Sequence, residues 1–408
     1  MKIAFLTSIY PNHAKIIYDQ YPKLVNKSSD EQLDFIRWNA ALSTTVQRFS
    51  FLREKGFEVI NFNEGLSEVS FKWAKENNFN PISNNPILEI GNEMIYRFRP
   101  DIIFCLNPLS IFKNNFFSEL MKRFVKKPKT IAWYGANQGD EILFRNFDLT
   151  LSNSKHLVNR LKTAGIKSEI LKHGFEPKIL DKVNQTVTRK NKVCFFGNIE
   201  TYSEDFLHRT RFLEKISNEI KSFDIFGETN KPDKCQSLKY DLLKCRNYIS
   251  SKITKYTINK RIKYWSNKNN LPQNPWRVSR KFIYRIKDPM YGIKMLEEIG
   301  KYKLALNYHN NHTGDCACNM RLFEATGMGC LLISDNKSDI RDYFIPDTEI
   351  IIYNSTGEAI DKIKYLLNNP LVALKIASNG QKRCLKDHNS ETRNERLCEI
   401  LSSLITRL

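Results

Sequence analysis

The chain has 408 residues, 41% of them hydrophobic and 26% charged, which is enough for two domains of ordinary size, each with its own core. No apolar run approaches the roughly 20 residues of a membrane-spanning helix, and the nine cysteines show no paired metal-ligand spacing, so free thiols in a reducing cytosol are expected. The net charge of +20 suits nucleic acid, an anionic membrane or a phosphorylated substrate, and it is concentrated: residues 231–290 hold 16 Lys and Arg against 3 Asp and Glu, an excess of 13.

Lys2 to Ser8 reads as a strand rather than a signal peptide, being short and without a small-residue cleavage site. Pro11, Asn12 and His13 are expected to form the loop beyond its C-terminal end, where open parallel sheets bind ligands. That makes His13 a candidate contact to acceptor or donor; the plain alternative is a surface loop histidine. Asp30 to Lys55 has helical spacing and stops at Gly56, and Phe57 to Phe62 is the next strand. A helix over Gly91 to Phe98 precedes a strand over Asp101 to Leu106. Helix, strand and loop in recurring order is the pattern of a parallel sheet with crossover helices.

Thr130 to Tyr134 is a further strand, running into the polar loop Gly135 to Glu141. Asp140 or Glu141 is a candidate base for an acceptor hydroxyl, the alternative for Asp140 being a helix cap. A strand over Asp148 to Ser152, a helix over Ser154 to Ala164 stopped by Gly165, and a strand over Ser168 to Leu171 follow, and the last runs into Lys172-His173-Gly174. The polar stretch Asp181 to Lys192 reads as a linker, dividing the chain into domains 1–185 and 186–408.

Val193 to Phe196 restarts the pattern, and Gly197-Asn198 supplies a turn where a backbone can approach a ligand closely. Thr210 to Lys221 reads as a helix and Phe223 to Gly227 as a strand. In the basic insertion at about 231–290, Leu242, Cys245, Ile249, Ile253 and Tyr256 recur at helical spacing. Such a helix either lies on an anionic membrane or packs on the domain with a solvated basic face. Neither zinc-finger spacing nor an aromatic RNA-binding signature is present, so nucleic acid is not an expected partner. After a helix through Ile299 and a strand over Leu304 to Tyr308 come His309 and His312, three apart on a loop. That spacing fixes no geometry around one ion, so no metal is expected.

Asn319-Met-Arg-Leu-Phe-Glu-Ala-Thr-Gly-Met-Gly-Cys-Leu-Leu-Ile-Ser-Asp335 then reads as loop, helix, tight turn and buried strand. Asn319 is a good N-cap. A helix start attracts phosphate, a guanidinium at Arg321 suits diphosphate oxygens, and a carboxylate at Glu324 can accept two sugar hydroxyls. The plain alternative is an Arg321–Glu324 pair on a solvated helix face. Beyond it, Glu349 to Tyr353 reads as a strand, and Glu358 to Leu367 and Leu371 to Lys386 as helices.

The Asn-Met-Arg-x-Phe-Glu-Ala pattern resembles the nucleotide-sugar-binding segment of GT-B glycosyltransferases, and is most similar to the group around the spore-maturation protein CgeB. The resemblance implies an α/β chain of two doubly wound, Rossmann-like domains facing across a cleft. It implies that Glu324 holds the ribose of the donor and that Arg321 and Asn319 meet its diphosphate. Phe323, Gly197, Asn198 and His309 then line the donor side, and His13, Asp140, Glu141, His173 and Gly174 belong to the acceptor side or the interdomain cleft. Many retaining members carry a second Glu eight residues before the first; Cys316, with Asp315 beside it, stands there in this chain. Retention and inversion both remain open. The expected activity is metal-independent transfer of a hexosyl group from a nucleotide-diphosphate sugar to a saccharide or lipid-linked acceptor. It would serve surface polysaccharide, lipopolysaccharide or glycoconjugate assembly, in the cytoplasm or peripherally on the inner face of its membrane. The alternatives are a nucleotide-sugar epimerase or hydrolase on the same fold, and a non-catalytic assembly protein that keeps the pocket.

Overall fold

The computed structural model describes residues 1–9, 11–40, 48–106, 115–135, 141–184, 188–200, 204–229, 277–309 and 314–406, with single positions between 235 and 249. The described strands form two parallel sheets of six. The first contains β1 (Lys2–Thr7), β2 (Glu58–Asn63), β3 (Ile102–Cys105), β4 (Lys129–Trp133), β5 (Leu149–Ser152) and β6 (Ser168–Ile170), in the order β2-β1-β3-β4-β5-β6. The second contains β7 (Lys190–Phe196), β8 (Phe223–Phe226), β9 (Ile286–Lys287), β10 (Tyr302–Leu306), β11 (Leu331–Asp335) and β12 (Ile351–Tyr353), in the order β12-β11-β10-β7-β8-β9. By contacts the chain divides into two compact units: Met1–Asn191 with Tyr291–Ser355 and Tyr365–Leu408, and Lys192–Met290 with Thr356–Lys364.

In the first sheet the central strands β1, β3, β4 and β5 are buried along most of their length because both sheet faces are covered. Successive side chains of a strand point to opposite faces. Ile3 and Phe5 therefore pack with Leu397 and Leu401 of the Ser390–Thr406 helix, while Ala4 and Leu6 pack with Leu88 and Ile95 of the Pro86–Phe98 helix. The C-terminal helix is thus part of the core beneath the first sheet. Successive strands are added to one side of β1 and then, from β3 on, to the other, and a parallel sheet of this kind leaves its ligand crevice beyond the strand ends at that switch in strand order. The second unit has its own core, with Phe196 and Phe226 stacked at a centroid distance of 4.4 Å.

Three local expectations are corrected, and two helices stand where none was expected. Pro11 to His13 does not form a loop: it opens the Pro11–Gln20 helix, as a proline tolerated in the first turn allows. The long helix expected over Asp30 to Lys55 is two described helices, Ser29–Ala40 and Arg48–Glu54, with residues 41–47 outside the described residues. Asn319 does not cap: Met320 takes the N-cap position with helical dihedral angles, and no side chain accepts there. Finally, Ser67–Glu76 and Phe116–Lys122 are helices with no sequence signal, because neither has a capping side chain and the second is too short to show periodicity. Asp140, His312 and most of the basic insertion lie outside the described residues.

Candidate functional site

The Arg321–Gly327 helix is followed by a turn at Gly329, whose φ of +74° is the left-handed conformation glycine accepts without strain. The chain then enters β11, buried on both faces. Leu322 and Phe323 face inward, and the Phe323 ring lies among Tyr343, Phe344 and His388, on the core side of the helix. Glu324, one turn into the helix, is 4% exposed. Its Oε2 accepts from Arg321 Nη1 at 2.7 Å, with the Met295 sulfur 3.5 Å from the same nitrogen. The two residues do pair, but the carboxylate is buried rather than on a solvated face. A helix of seven residues aligns few peptide dipoles, so the guanidinium supplies most of the positive charge here.

A polar network stands beside this helix. Asp335, at the end of β11, accepts from the His309 backbone N–H at 3.0 Å and from His309 Nδ1 at 2.7 Å. That geometry fixes the imidazole with its proton on Nδ1. His309 is 2% exposed, and its Nε2 is buried without a hydrogen-bond partner among the described residues. Asn307, at the end of β10, donates to Ser334 Oγ at 2.9 Å and accepts from Asn319 Nδ2 at 2.7 Å. The Asn319 Oδ1 is left buried with no described partner. Two buried polar atoms, His309 Nε2 and Asn319 Oδ1, are therefore available to a ligand. The neighbouring loop is held by Asn153, whose Nδ2 donates to the Cys318 carbonyl at 2.5 Å, and by Asp339, which accepts from the Ala317 N–H at 2.6 Å. Cys316 is buried and Asp315 exposed.

A cavity of about 230 Å³ opens at the strand ends of the first sheet, between Thr7, Asn63, Leu106 and Trp133, and Met320 also lines it. His173 is in its wall, 5.4 Å from the Trp133 ring between centroids. Burial, with Arg48 and Arg393 nearby, pulls the His173 imidazole down to about 4, so it is neutral at pH 7. Gly174 allows a close backbone approach: a Cβ there would lie 2.7 Å from the Asn389 carbonyl oxygen. His13 is buried on its helix, its ring 5.2 Å from that of Tyr291, and burial lowers its pKa. Glu141 opens a short 3-10 turn and pairs with Arg160 at 2.5 Å. Gly197 and Asn198 belong to the second unit, where the Gly197 N–H donates to the Phe226 carbonyl at 3.1 Å and the Asn198 carbonyl accepts from Arg209.

Residues 209–399 match the family model described as glycosyl transferase-like, a span that includes the whole Asn319 to Asp335 segment. The chain has the GT-B glycosyltransferase fold. It is similar to the sucrose-phosphate synthase of Thermosynechococcus elongatus, with a TM-score of 0.57 at 11% identity over 100% of both chains. It is also similar to HepE of Anabaena, solved in complex with UDP-glucose, with a TM-score of 0.51 at 12% identity over 99% of this chain and 100% of that one. A third likeness is to an alpha-glucosyltransferase in complex with UDP-glucose and DNA containing an abasic site, with a TM-score of 0.55 at 11% identity over 98% and 99%. No curated protein matches the sequence.

On this GT-B framework, three polar residues near the motif had no sequence signal of their own. Asp335, Asn307 and Asn153 stand at or just beyond the C-terminal ends of β11, β10 and β5. Their place became visible only when the strands were aligned; the one available clue was a polar residue ending an apolar run.

Proposed function

We propose that this protein transfers a sugar from a UDP-sugar to an acceptor hydroxyl. The observation that carries the proposal is the buried Glu324 carboxylate held against Arg321, beside two unsatisfied buried polar atoms on His309 and Asn319. A buried carboxylate and buried lone pairs without partners are costly unless a ligand completes them. In the proposed complex Glu324 accepts the ribose hydroxyls, and Arg321 meets the diphosphate. His309, oriented by Asp335, and Asn319 complete the polar wall. Uridine as the base is carried from HepE and the alpha-glucosyltransferase, which were solved with UDP-glucose.

In the reaction the acceptor oxygen forms a bond to the anomeric carbon, the bond from that carbon to the diphosphate breaks, and the hydroxyl proton passes to a base. The electron pair of the broken bond stays on the diphosphate. Arg321 offsets that developing charge, a role for which one preorganised donor typically contributes about 3 kcal/mol. Because the guanidinium supplies the charge, the proposal needs no bound metal. His13, kept neutral by burial, and Asp140 are the proposed bases. The proposed acceptor is a saccharide or a lipid-linked saccharide, and the basic 231–290 segment is the proposed contact to an anionic membrane.

The direct test is release of UDP from UDP-glucose with and without a pool of saccharide acceptors. Acceptor-dependent release that survives EDTA is expected. Release that is equally fast without acceptor would make the protein a hydrolase, and loss of all activity in EDTA would remove the metal-independent mechanism.

A further inference from the structure

The cavity at the ends of β1 to β4 has a chemistry that sugar transfer alone does not require. Among its described lining residues are Arg37, Arg48 and Lys172, and no Asp or Glu. Arg37 is already paired with Asp34 and lies over the Phe49 ring. Arg48 is not offset in this way. It is 3% exposed, its Nε donates to Asn394 Oδ1 at 3.3 Å, and no carboxylate among the described residues forms an ion pair with it. Burial with no acid to balance it pulls the Arg48 guanidinium down to about 10. Lys172 lies 4.2 Å from the Tyr343 ring centre, and burial with Arg393 nearby lowers its pKa despite Asp342 and Asp339.

The neutral lining residues offer donors too. Asn61 Oδ1 accepts from Thr7 Oγ1 at 2.9 Å, and Asn63 Oδ1 accepts from the Ile9 and Gly65 amides at 3.2 and 3.1 Å. With both oxygens engaged, the amide hydrogens are what these residues can present. Most of the rest of the cavity wall is apolar, with Ile9, Ile36, Phe49, Leu106 and the flat ring of Trp133; cations and donors set into such a wall suit an anion attached to a small ring. Its volume of about 230 Å³ is that of a sugar-sized group rather than a drug-sized ligand.

We infer that this cavity binds the anionic group, a phosphate or a carboxylate, of the acceptor, with Arg48 and Lys172 as its counter-charges and Asn61 and Asn63 as neutral donors. The word acceptor rests on the transfer proposed above; the anion site does not. The same chemistry could come from the donor diphosphate, so the test separates the two sources.

Thermal melting of the full chain would be measured with inorganic phosphate, with UDP and with both, for the wild type and Lys172→Met. Lys172 is preferred to the buried Arg48, whose removal also strands Asn394. The expected result is that phosphate and UDP each raise the melting temperature, that their shifts add, and that Lys172→Met weakens phosphate at least tenfold while keeping the UDP shift. Absence of a phosphate shift in the wild type, or an unchanged phosphate affinity in Lys172→Met, would overturn the site. Mutual exclusion of phosphate and UDP would assign the anion to the donor and overturn the acceptor role. A phosphate shift without any UDP shift would uphold the anion site and remove the transfer reading.

Discussion

Arg321 and Glu324 hold each other at 2.7 Å, with the Arg321 side chain 17% exposed and that of Glu324 5% exposed. The pair has the form of a preorganised receptor: each partner fixes the other before a ligand arrives. Arg321→Ala is expected to lower turnover by about a hundredfold or more while leaving the circular dichroism spectrum unchanged. A variant that turns over as fast as the wild type would exclude Arg321 from the reaction. These two residues were legible because they share one contiguous motif. The His309–Asp335 contact was not, since 26 residues separate the partners and only the pairing of β10 with β11 brings them together. Arg48 and Lys172 were invisible for the same reason, being 124 positions apart in the sequence.

At the scale of elements, the segment after β6 is stitched to the start of the last helix. Phe175 donates its N–H to the His388 carbonyl at 2.8 Å, and the Ser390 N–H returns to the Phe175 carbonyl at 2.7 Å. His388 is the centre of this junction: its Nε2 donates to the Tyr343 carbonyl at 2.7 Å, and its Nδ1 accepts from Arg393 at 2.9 Å. Burial is the main cost of protonating this ring, and Arg393, which protonated Nδ1 would displace, adds to it against the opposing Tyr343 carbonyl, so the pKa falls from 6.5 to about 4. Between those values the unfolded chain binds the extra proton and the folded chain does not. Stability is therefore present above the unfolded value and is lost as pH falls from about 6.5 towards 4, by about 3 kcal/mol for this group. The melting temperature of His388→Gln should fall less steeply than that of the wild type between pH 7 and pH 4.5. Parallel curves would show that His388 does not govern the acid side. Strand positions were legible here from short apolar runs; the stitching was not, because it depends on backbone groups that every residue carries.

For the molecule as a whole, the parallel α/β class was legible because apolar strands alternate with polar loops and amphipathic helices across all 408 residues. The extent of the basic insertion was not, since Arg280–Arg285 forms a helix and Ile286–Lys287 pairs with β8 inside the stretch that composition marks as inserted. A test of the proposed membrane contact should spare those elements. Replacing Lys252, Lys255, Lys260, Arg261, Lys263 and Lys268 with Gln is expected to abolish co-sedimentation with anionic liposomes and to leave UDP binding intact. Undiminished co-sedimentation would place any membrane contact elsewhere. Among the described residues no helix is long and apolar enough to cross a membrane.

The central claim is that Glu324 and Arg321 receive a nucleotide diphosphate. Calorimetric titration of UDP into the wild type and into a folded Glu324→Ala variant tests it most directly. Saturable binding to the wild type and at least tenfold weaker binding to the variant are expected; no heat with the wild type, or equal affinity in both, would show that these two residues do not hold the nucleotide.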